Sequence, residues 1–366
     1  MKRSVLGCVA LPAAVVLGLG LGACGAQNEA TPSGGAGSSG SGLSGTMNGA
    51  GSSAQSAAMA AWIAGFQKTN SGAQVNYDAV GSGSGVEQFL NKGVAFAGSD
   101  KALDDDQLKS GADRCSGGAA IDVPTYVSPI AIAYNLKGVD DLQLSPATAA
   151  GIFAGTITTW NDAKIKADNP GATLPSTKIT PVHRSDKSGT TNNFTDYLDK
   201  TASDVWTGGA TEEWPVNGGE SAKGTSGVVA VLQQGEGTIG YADDSQTTGL
   251  QKAKVKVGSD FVGPSAAGAA ATLEDSQPTT GRPDGDLVID INRTTSATGA
   301  YPVLLVSYEV FCTKYDDAAQ GKLVKGLLTY IVSSEGQTAA ADTAGSAALP
   351  DSLATKATTS IDMIGS

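Results

Sequence analysis

The sequence predicts an α/β protein with a parallel sheet and two domains, the first of which is discontinuous in sequence. Its 366 residues are enough for two domains of ordinary size. Residues 75–80 and 94–97 alternate like strands, and each runs through a small polar loop into a helical pattern, as the units of a parallel sheet do. Residues 121–134 and 301–312 are long β-patterned runs, and we expect both to cross between the domains.

These crossings divide the folded part of the chain. We assign residues 46–130 and 305–366 to the first domain and residues 131–304 to the second. Residues 48–54 are nearly all small and are expected to form a turn before the first helix. Apolar residues at helical spacing predict helices over residues 56–68, 226–234, 265–273, 322–332 and 353–364, others beginning near residues 86, 103 and 188, and helices around Trp160 within residues 147–165, while residues 237–242 predict a short buried strand.

The first 45 residues indicate export and membrane attachment. Residues 1–23 begin with basic residues and continue with an apolar run, which is typical of a signal peptide. The run ends in Leu-Gly-Ala-Cys, the pattern of a bacterial lipobox, so Cys24 is expected to carry a lipid; a short transmembrane anchor is the alternative. Residues 24–45 are rich in glycine and serine and predict a flexible tether. We therefore expect an exported protein, lipid-anchored to the outer face of the cytoplasmic membrane.

The charge of the chain excludes one class of partner. Thirty-six acidic and 24 basic residues give a formal charge of −12, and loss of Lys2 and Arg3 with the signal peptide would make it −14. No run of lysine or arginine supplies a basic face, so we expect no nucleic-acid partner. An anionic ligand would meet an unfavourable overall field and would have to be captured by local donors.

Two of the four cysteines are predicted to pair. Cys8 belongs to the signal peptide and Cys24 to the lipid site, which leaves Cys115 and Cys312 in the folded part. An exported protein meets an oxidising environment, so we predict one disulfide between them. Two buried free thiols are the alternative.

The stretch around residue 188 has the features of an oxyanion site. A β-prone run over residues 178–182 gives way to Ser188-Gly189-Thr190, and apolar residues at helical spacing follow. The first N–H groups of a helix have no partner within the helix, and the helix dipole is positive there, so such an end attracts an anion. Arg184 would add a forked cationic donor. The alternative is an ordinary helix cap beside a surface arginine.

A glycine-rich stretch, residues 81–85, is a weaker signal. It lacks the spacing of a dinucleotide fingerprint, of a phosphate-binding P-loop and of a nucleophile elbow. It would still present free N–H groups with the hydroxyl of Ser82 or Ser84; a plain tight turn is the alternative. His183 is the sole histidine and has no evident carboxylate to orient it, so we expect no Ser-His-Asp triad. Metal-ligand spacing is absent too, and we expect neither a catalytic residue nor a metal or cofactor.

Several motifs together resemble one family. The chain is similar to the substrate-binding lipoproteins of bacterial phosphate ABC transporters, of the actinobacterial type. The blocks that carry the resemblance follow one another in family order and include GAGSSAQ, NYDAVGSGSGVEQF, AFAGSDKAL, HRSDKSGTTNNFTDYL, GTIGYAD and YPVLLVSYE. The resemblance implies a type II periplasmic-binding-protein-like fold, in which two α/β domains joined by two hinge strands close over one phosphate. It also implies a monomer without cofactors, whose partners are inorganic phosphate and the membrane permease subunits of the transporter.

The resemblance carries over to single positions. Asp186 matches an acid that orients the arginine, Lys187 replaces a common glycine, and Ala54 stands where many relatives have phenylalanine. The implied phosphate-binding residues are Ser53, Ala54 through its N–H, Ser82 and Asp100 from the first domain, and Arg184, Ser188, Gly189 and Thr190 from the second.

Asp100 has the most specific implied role. A carboxylate next to phosphate repels it unless a ligand oxygen carries a proton that the carboxylate accepts, and sulfate has no such proton at neutral pH. The alternative is that Asp100 caps the helix expected near Leu103. The resemblance thus implies a phosphate receptor for uptake and no enzyme. A secreted phosphatase and a phosphate-dependent surface interaction protein are the competing hypotheses.

Overall fold

The computed structural model describes residues 42–365, so the predicted signal peptide, Cys24 and most of the predicted tether lie outside the described residues. Described strands extend through nearly the whole of this range. They are β1 (Ser44–Gly51), β2 (Gly72–Asp78), β3 (Phe96–Ser99), β4 (Ala120–Asn135), β5 (Gln143–Leu144), β6 (Thr180–Arg184), β7 (Glu220–Ala222), β8 (Thr238–Asp243), β9 (Gln251–Lys252), β10 (Lys254–Val257), β11 (Asp260–Val262), β12 (Gln277–Pro278), β13 (Ile289–Asp290) and β14 (Leu304–Cys312).

Helices alternate with these strands, as the sequence pattern predicts. None of the described helices is long and apolar enough to cross a membrane. They are α1 (Ser56–Thr69), α2 (Ser82–Leu90), α3 (Asp105–Arg114), α4 (Pro146–Phe153), α5 (Ala163–Asp168), α6 (Gly189–Ala202), α7 (Gly224–Gln234), α8 (Ala266–Glu274), α9 (Ala318–Val332), α10 (Ser334–Ala344) and α11 (Asp351–Asp362).

One large sheet organises the described chain. Its strand order is β2-β1-β3-β14-β4-β8-β6-β7, with β9 also beside β4. At one end β1 is parallel to β2 and β3, and at the other β6 is parallel to β7 and β8. The two strands between these groups are antiparallel to each other. The predicted α/β class with parallel units is therefore confirmed.

The central strand β4 belongs to both ends of this sheet. From Ala120 to Pro129 it pairs with β14, and from Ile130 to Asn135 it pairs with β8. Its first 15 residues are all buried, as expected for a strand covered on both faces. The exchange of partners falls next to the predicted domain boundary at residue 130. The described residues nevertheless pack as one compact unit, so the division into two domains remains a prediction.

The turn predicted over residues 48–54 is wrong, because most of that stretch is the inner strand β1. Its glycines interrupt the alternation of side chains from which a strand is predicted. Close packing nevertheless requires glycine at these positions. A Cβ at Gly49 would lie 2.3 Å from a ring atom of Phe96, and one at Gly51 would lie 2.0 Å from the carbonyl oxygen of Gly98. The strand begins at Ser44, so the last two residues assigned to the tether also belong to the sheet.

Other differences from the prediction are smaller. The glycine-rich stretch after β2 is not a loop throughout, because α2 begins at Ser82. Gly85 packs this helix onto β1, where a Cβ would lie 2.4 Å from Cα of Gly51. The sequence also gave no signal for α10 or for the small sheet β11-β10-β5.

The predicted disulfide is confirmed. Cys115, at the end of α3, is bonded to Cys312, at the end of β14, with Cα atoms 5.3 Å apart and a sequence separation of 197. Both cysteines are buried. The bond ties a surface helix to the central strand that returns from the far part of the chain.

Candidate oxyanion-binding site

The loops after β1, β2 and β3 meet the loops after β6 and β7 in one buried region. Ligands in open α/β sheets bind at such carboxyl ends of parallel strands. The first group of loops contributes the N-terminal ends of α1 and α2, and the second contributes those of α6 and α7. The eight predicted ligand residues are all buried: Ser53, Ala54, Ser82, Asp100, Arg184, Ser188, Gly189 and Thr190.

Asp100 links the two groups of loops. Its main-chain N–H donates to Ser82 Oγ at 3.1 Å, within its own group. Its Oδ2 accepts a hydrogen bond from Thr190 Oγ1 at 3.0 Å, from the other group. Gly189 fits tightly between them, because a Cβ there would lie 2.6 Å from Ser82 Oγ and 2.8 Å from the Cβ of Asp100. The structure therefore brings Ser82, Asp100, Gly189 and Thr190 together.

The Asp100 carboxylate lies among hydroxyl groups. Ser307 on β14 donates to Oδ1, and the hydroxyl of Ser52 also bonds the carboxylate. Burial raises the pKa of Asp100, while the hydroxyls of Ser307, Ser52 and Thr190 and the charge of Arg184 oppose that rise. Hydroxyl donors favour the ionised form. The pKa of Asp100 nevertheless remains above its usual value, so these donors limit the effect of burial without cancelling it.

A bulge sets the position of Ser307. Along β4 and β14 the register shifts between Ser307 and Tyr308, so that Thr125 has no opposite residue. Pro124, next to Thr125, lacks an N–H and cannot extend a regular ladder. Bulges of this kind re-aim side chains next to functional sites. No local feature of the sequence marked Ser307.

Arg184 is buried and held by Asp186. Its Nε donates to Asp186 Oδ1 at 2.8 Å and its Nη2 to Oδ2 at 2.5 Å. Burial alone would raise the pKa of Asp186, but hydrogen bonds and charge from Arg184 and the N–H of Gly224 lower it below its usual value. A Cβ at Gly81 would lie 2.5 Å from Asp186 Oδ2, so the loop after β2 covers this pair closely. The alternative of a surface arginine is therefore wrong.

Two helix caps bear on the alternatives left open by the sequence. Ser188 does cap α6, since its Oγ accepts from the N–H of Thr191 at 3.1 Å. Asp100 does not cap α3: the cap is Asp104, which forms a reciprocal capping box with Gln107. Asp100 is thus left for another role.

Ser53 reaches across to a residue that sequence reasoning missed. Its Oγ lies 3.0 Å from Thr225 Oγ1 and accepts from the N–H of Thr225 at 3.0 Å. The N–H of Ala54 donates to Ser52 Oγ at 3.1 Å. Thr225 is buried at the start of α7, and the Gly-Thr-Ser run before an apolar helix was the signal that could have found it.

Of the two residues that depart from the family pattern, Lys187 lies at the surface and Ala54 in the interior. Lys187 points to the surface, where its Nζ donates to Glu87 Oε1 on α2 at 2.6 Å. Both side chains are about half exposed, so the added charge is balanced at the rim. Ala54 is fully buried and leaves no aromatic ring at its position.

His183 packs against an aromatic ring and lies close to the main chain. The ring of His183 stacks on that of Trp214 with centroids 5.0 Å apart, and its Nδ1 lies 3.0 Å from the carbonyl oxygen of Arg184. Within residues 42–365 no group of three or more histidine, cysteine or acidic side chains could hold a metal ion.

The fold and this two-sided site define a solute-binding protein. A family model described as a PBP superfamily domain matches residues 36–335. The chain is 38% identical over 360 residues to the phosphate-binding protein PstS 2 of Mycobacterium tuberculosis, covering 93% of this chain and 94% of the relative. It is 35% identical to the phosphate-binding protein PstS 3 of Mycobacterium leprae, with 87% of each chain covered. The chain belongs to the PstS family of phosphate-binding proteins within this superfamily.

A solved structure agrees in fold. The high-affinity periplasmic phosphate-binding protein PfluDING, solved with phosphate bound, matches with a TM-score of 0.68 and 24% identity over 85% of this chain and 92% of that one. The predicted family and the periplasmic-binding-protein-like fold are both confirmed.

Proposed function

We propose that this protein binds one inorganic phosphate ion between its two groups of loops and delivers it to an ABC transporter for uptake. The single observation that carries the proposal is the buried meeting of Asp100 and Thr190 from opposite groups. Around that contact are the N-terminal ends of helices and one oriented guanidinium, which together suit a small oxyanion. The names of the curated relatives support phosphate as that anion.

The proposed contacts divide the ligand between the two sides. Ser53, the N–H of Ala54, Ser82 and Asp100 would hold it on one side. Arg184, Ser188, Gly189 and Thr190 would hold it on the other, with Asp186 fixing the arginine. Because the N–H of Ala54 and the hydroxyl of Ser53 already have protein partners, binding would exchange those bonds for bonds to phosphate.

Asp100 would select the ligand. Its carboxylate can accept the proton of HPO4²⁻ or H2PO4⁻, whereas sulfate would present only an acceptor to an acceptor. Leaving two buried acceptors unsatisfied costs roughly 1–3 kcal/mol or more when they are charged, which is about fivefold to over a hundredfold in affinity. Selection against sulfate would follow from this mismatch.

Delivery to a membrane transporter rests on the family and on the predicted N-terminus. We infer that lipid on Cys24 anchors a monomer to the outer face of the cytoplasmic membrane and that permease subunits receive the closed form. Closure would be a hinge motion of residues 131–304 relative to residues 46–130 and 305–366, stabilised by the ligand that both sides contact.

Titration calorimetry of the phosphate-stripped protein with phosphate and sulfate tests the proposal. We expect one phosphate per chain and much weaker sulfate binding. Arg184→Ala should weaken phosphate binding by tenfold or more, since a hydrogen bond to a charged group contributes about 1.5–3 kcal/mol. Asp100→Asn should narrow the difference between phosphate and sulfate. An unchanged phosphate titration for Arg184→Ala would overturn the assignment.

The enzyme hypothesis has a separate test. The curated relatives are named as binding proteins, which supports binding without turnover. We expect no colour when the protein is incubated with a chromogenic phosphomonoester. Release of the chromophore by wild type, and its loss in Arg184→Ala, would instead support a phosphatase.

A further inference from the structure

Asn193 joins the two sides of the site without belonging to the predicted ligand set. It lies one turn after Gly189 on α6 and is 5% exposed. Its Nδ2 donates to the main-chain carbonyl oxygen of Asp100 at 2.6 Å and to that of Gly189 at 3.0 Å. Its Oδ1 accepts from Arg293 Nη2 at 2.6 Å. Both the nitrogen and the oxygen of the side-chain amide therefore have hydrogen-bond partners, and one of these bonds spans the two groups of loops.

Arg293 fixes the orientation of this amide. Its buried guanidinium also donates from Nε to Asp196 Oδ2 at 2.9 Å, on the same helix as Asn193. From Nη1 it donates to the carbonyl oxygens of Pro302 at 2.9 Å and Leu304 at 2.7 Å. The planar fork thus ties α6 to the start of β14, where the chain is predicted to return to the first domain. A lysine could not make this set of directed bonds.

The pair also lines a cleft at the surface. A cleft of about 530 Å³ borders Asp100, Asn193, Asp196 and Arg293, with Tyr308 on its wall. Loss of the Asn193 amide would remove the bond that holds the main chain of Asp100 beside this cleft.

We propose that Asn193 is a latch that slows phosphate release, with Arg293 as its support. This inference rests on the proposed function, and both are positioning residues that do not touch the ligand. Opening between the predicted domains would break the bond from Asn193 to Asp100 but leave its bonds to Gly189 and Arg293 intact. An interaction present only in the closed form stabilises that form and acts on dissociation more than on association.

Stopped-flow measurement of phosphate binding and release by the full chain tests the latch. Asn193→Ala and the less disruptive Asn193→Ser should raise the dissociation rate about threefold to tenfold, the range of one ordinary hydrogen bond, with the association rate within twofold of wild type. Asn193→Asp keeps the acceptor for Arg293 but turns a carboxylate toward two carbonyl oxygens, so a larger increase is expected. Arg293→Lys should give a smaller increase in the same direction.

Asn192→Ala is the matched control, because the neighbouring Asn192 side chain makes no hydrogen bond to any residue of the described chain. It should leave both rates unchanged. The latch is overturned if Asn193→Ala and Asn193→Ser release phosphate at the wild-type rate, or if they slow association instead. A wild type that binds no phosphate would refute the proposed function itself, whereas normal wild-type binding with unaltered variants refutes only the latch. Melting temperatures without phosphate identify any variant that fails to fold, and the other variants then decide.

Discussion

Glu309 is a second acid behind Asp100, in a position where a charge is costly. It is fully buried on β14; one carboxyl oxygen accepts from Gln55 Nε2 at 3.0 Å, and Oε2 has no partner within the described residues. Burial, and then the negative charge of Asp100, raise the pKa of Glu309 well above its usual value. We therefore expect Glu309 to be a neutral acid at neutral pH, so that it adds no second negative charge behind Asp100.

Glu309→Gln should make the protein more stable at neutral pH. The unfolded carboxyl titrates near pH 4.3 and the folded one much higher, so above that pH unfolding releases a proton. Wild-type stability should therefore fall, through this group, by up to about 1.4 kcal/mol per pH unit from roughly pH 4.3 upward until the folded pKa is reached. Glutamine does not titrate, so the Glu309→Gln variant does not lose stability with pH through this position.

Urea unfolding of both proteins at pH 4, 5, 6 and 7 measures the effect. The difference in unfolding free energy should grow with pH in favour of Glu309→Gln. Glu213→Gln, an exposed glutamate, is the control and should show no such trend. Parallel pH profiles for wild type and Glu309→Gln would mean that Glu309 is ionised in the folded protein.

At the scale of the secondary-structure element, helix α6 is central to the candidate site. Its first residue, Gly189, touches Ser82 and Asp100 so closely that there is no room for a side chain. The same helix supplies Thr190 to Asp100 and Asn193 to the carbonyl of Asp100. The approach of one helix end to the opposite loops therefore determines whether the site is complete.

Gly189→Ala should weaken phosphate binding without destabilising the fold. Alanine is favoured over glycine in a helix by up to about 1 kcal/mol, so the free protein should fold normally. Its methyl group would lie 2.6 Å from Ser82 Oγ, which must hold α6 away from the opposite loops. We expect phosphate affinity to fall by at least tenfold in calorimetry, with an unchanged or higher melting temperature of the free protein.

Gly263→Ala is the matched control, because the nearest atom to a Cβ there is 3.7 Å away. It should bind phosphate like wild type. Wild-type affinity in Gly189→Ala would show that the close approach of α6 is not needed for binding.

The disulfide stabilises the elements without contributing to the site. Replacing both Cys115 and Cys312 by serine frees a loop whose ends are 197 residues apart. The chain-entropy model assigns such a loop about 5 kcal/mol. We expect urea unfolding to show a loss approaching that size, while calorimetry of the folded double variant shows wild-type phosphate affinity. A loss below about 1 kcal/mol would contradict the entropic account.

On the scale of the whole molecule, further contacts join residues 46–130 to residues 131–304. Gln246 Nε2 donates to the carbonyl oxygens of Ser53 at 2.9 Å and Ala54 at 3.1 Å. Lys187 pairs with Glu87 at the rim. The two sides of the site are therefore in direct contact at several places in the described residues.

Lys187→Gly should change phosphate affinity less than about threefold, although it restores the residue that is common in the family. The pair with Glu87 is exposed, and exposed ion pairs contribute only about 0–1 kcal/mol. Calorimetry at low and at physiological salt measures the change, and Glu87→Gln should give a similar small effect. A tenfold loss in Lys187→Gly would mean that the rim pair controls closure.

The sequence by itself determined the α/β class and the disulfide partners. It also identified the segment from Arg184 to Thr190 as a candidate oxyanion site. These could be predicted because they depend on local patterns: alternation, helical spacing, the setting of two leftover cysteines, and a run of residues that matches one family. Only the tertiary structure decided that the small residues around Gly49 form an inner strand. It also decided that Ser307, Thr225 and Asn193 converge on Asp100 and Ser53. Such contacts join residues about 90 to 200 positions apart. No periodicity along the chain encodes them, because they exist only once the strands are packed and the loops brought together.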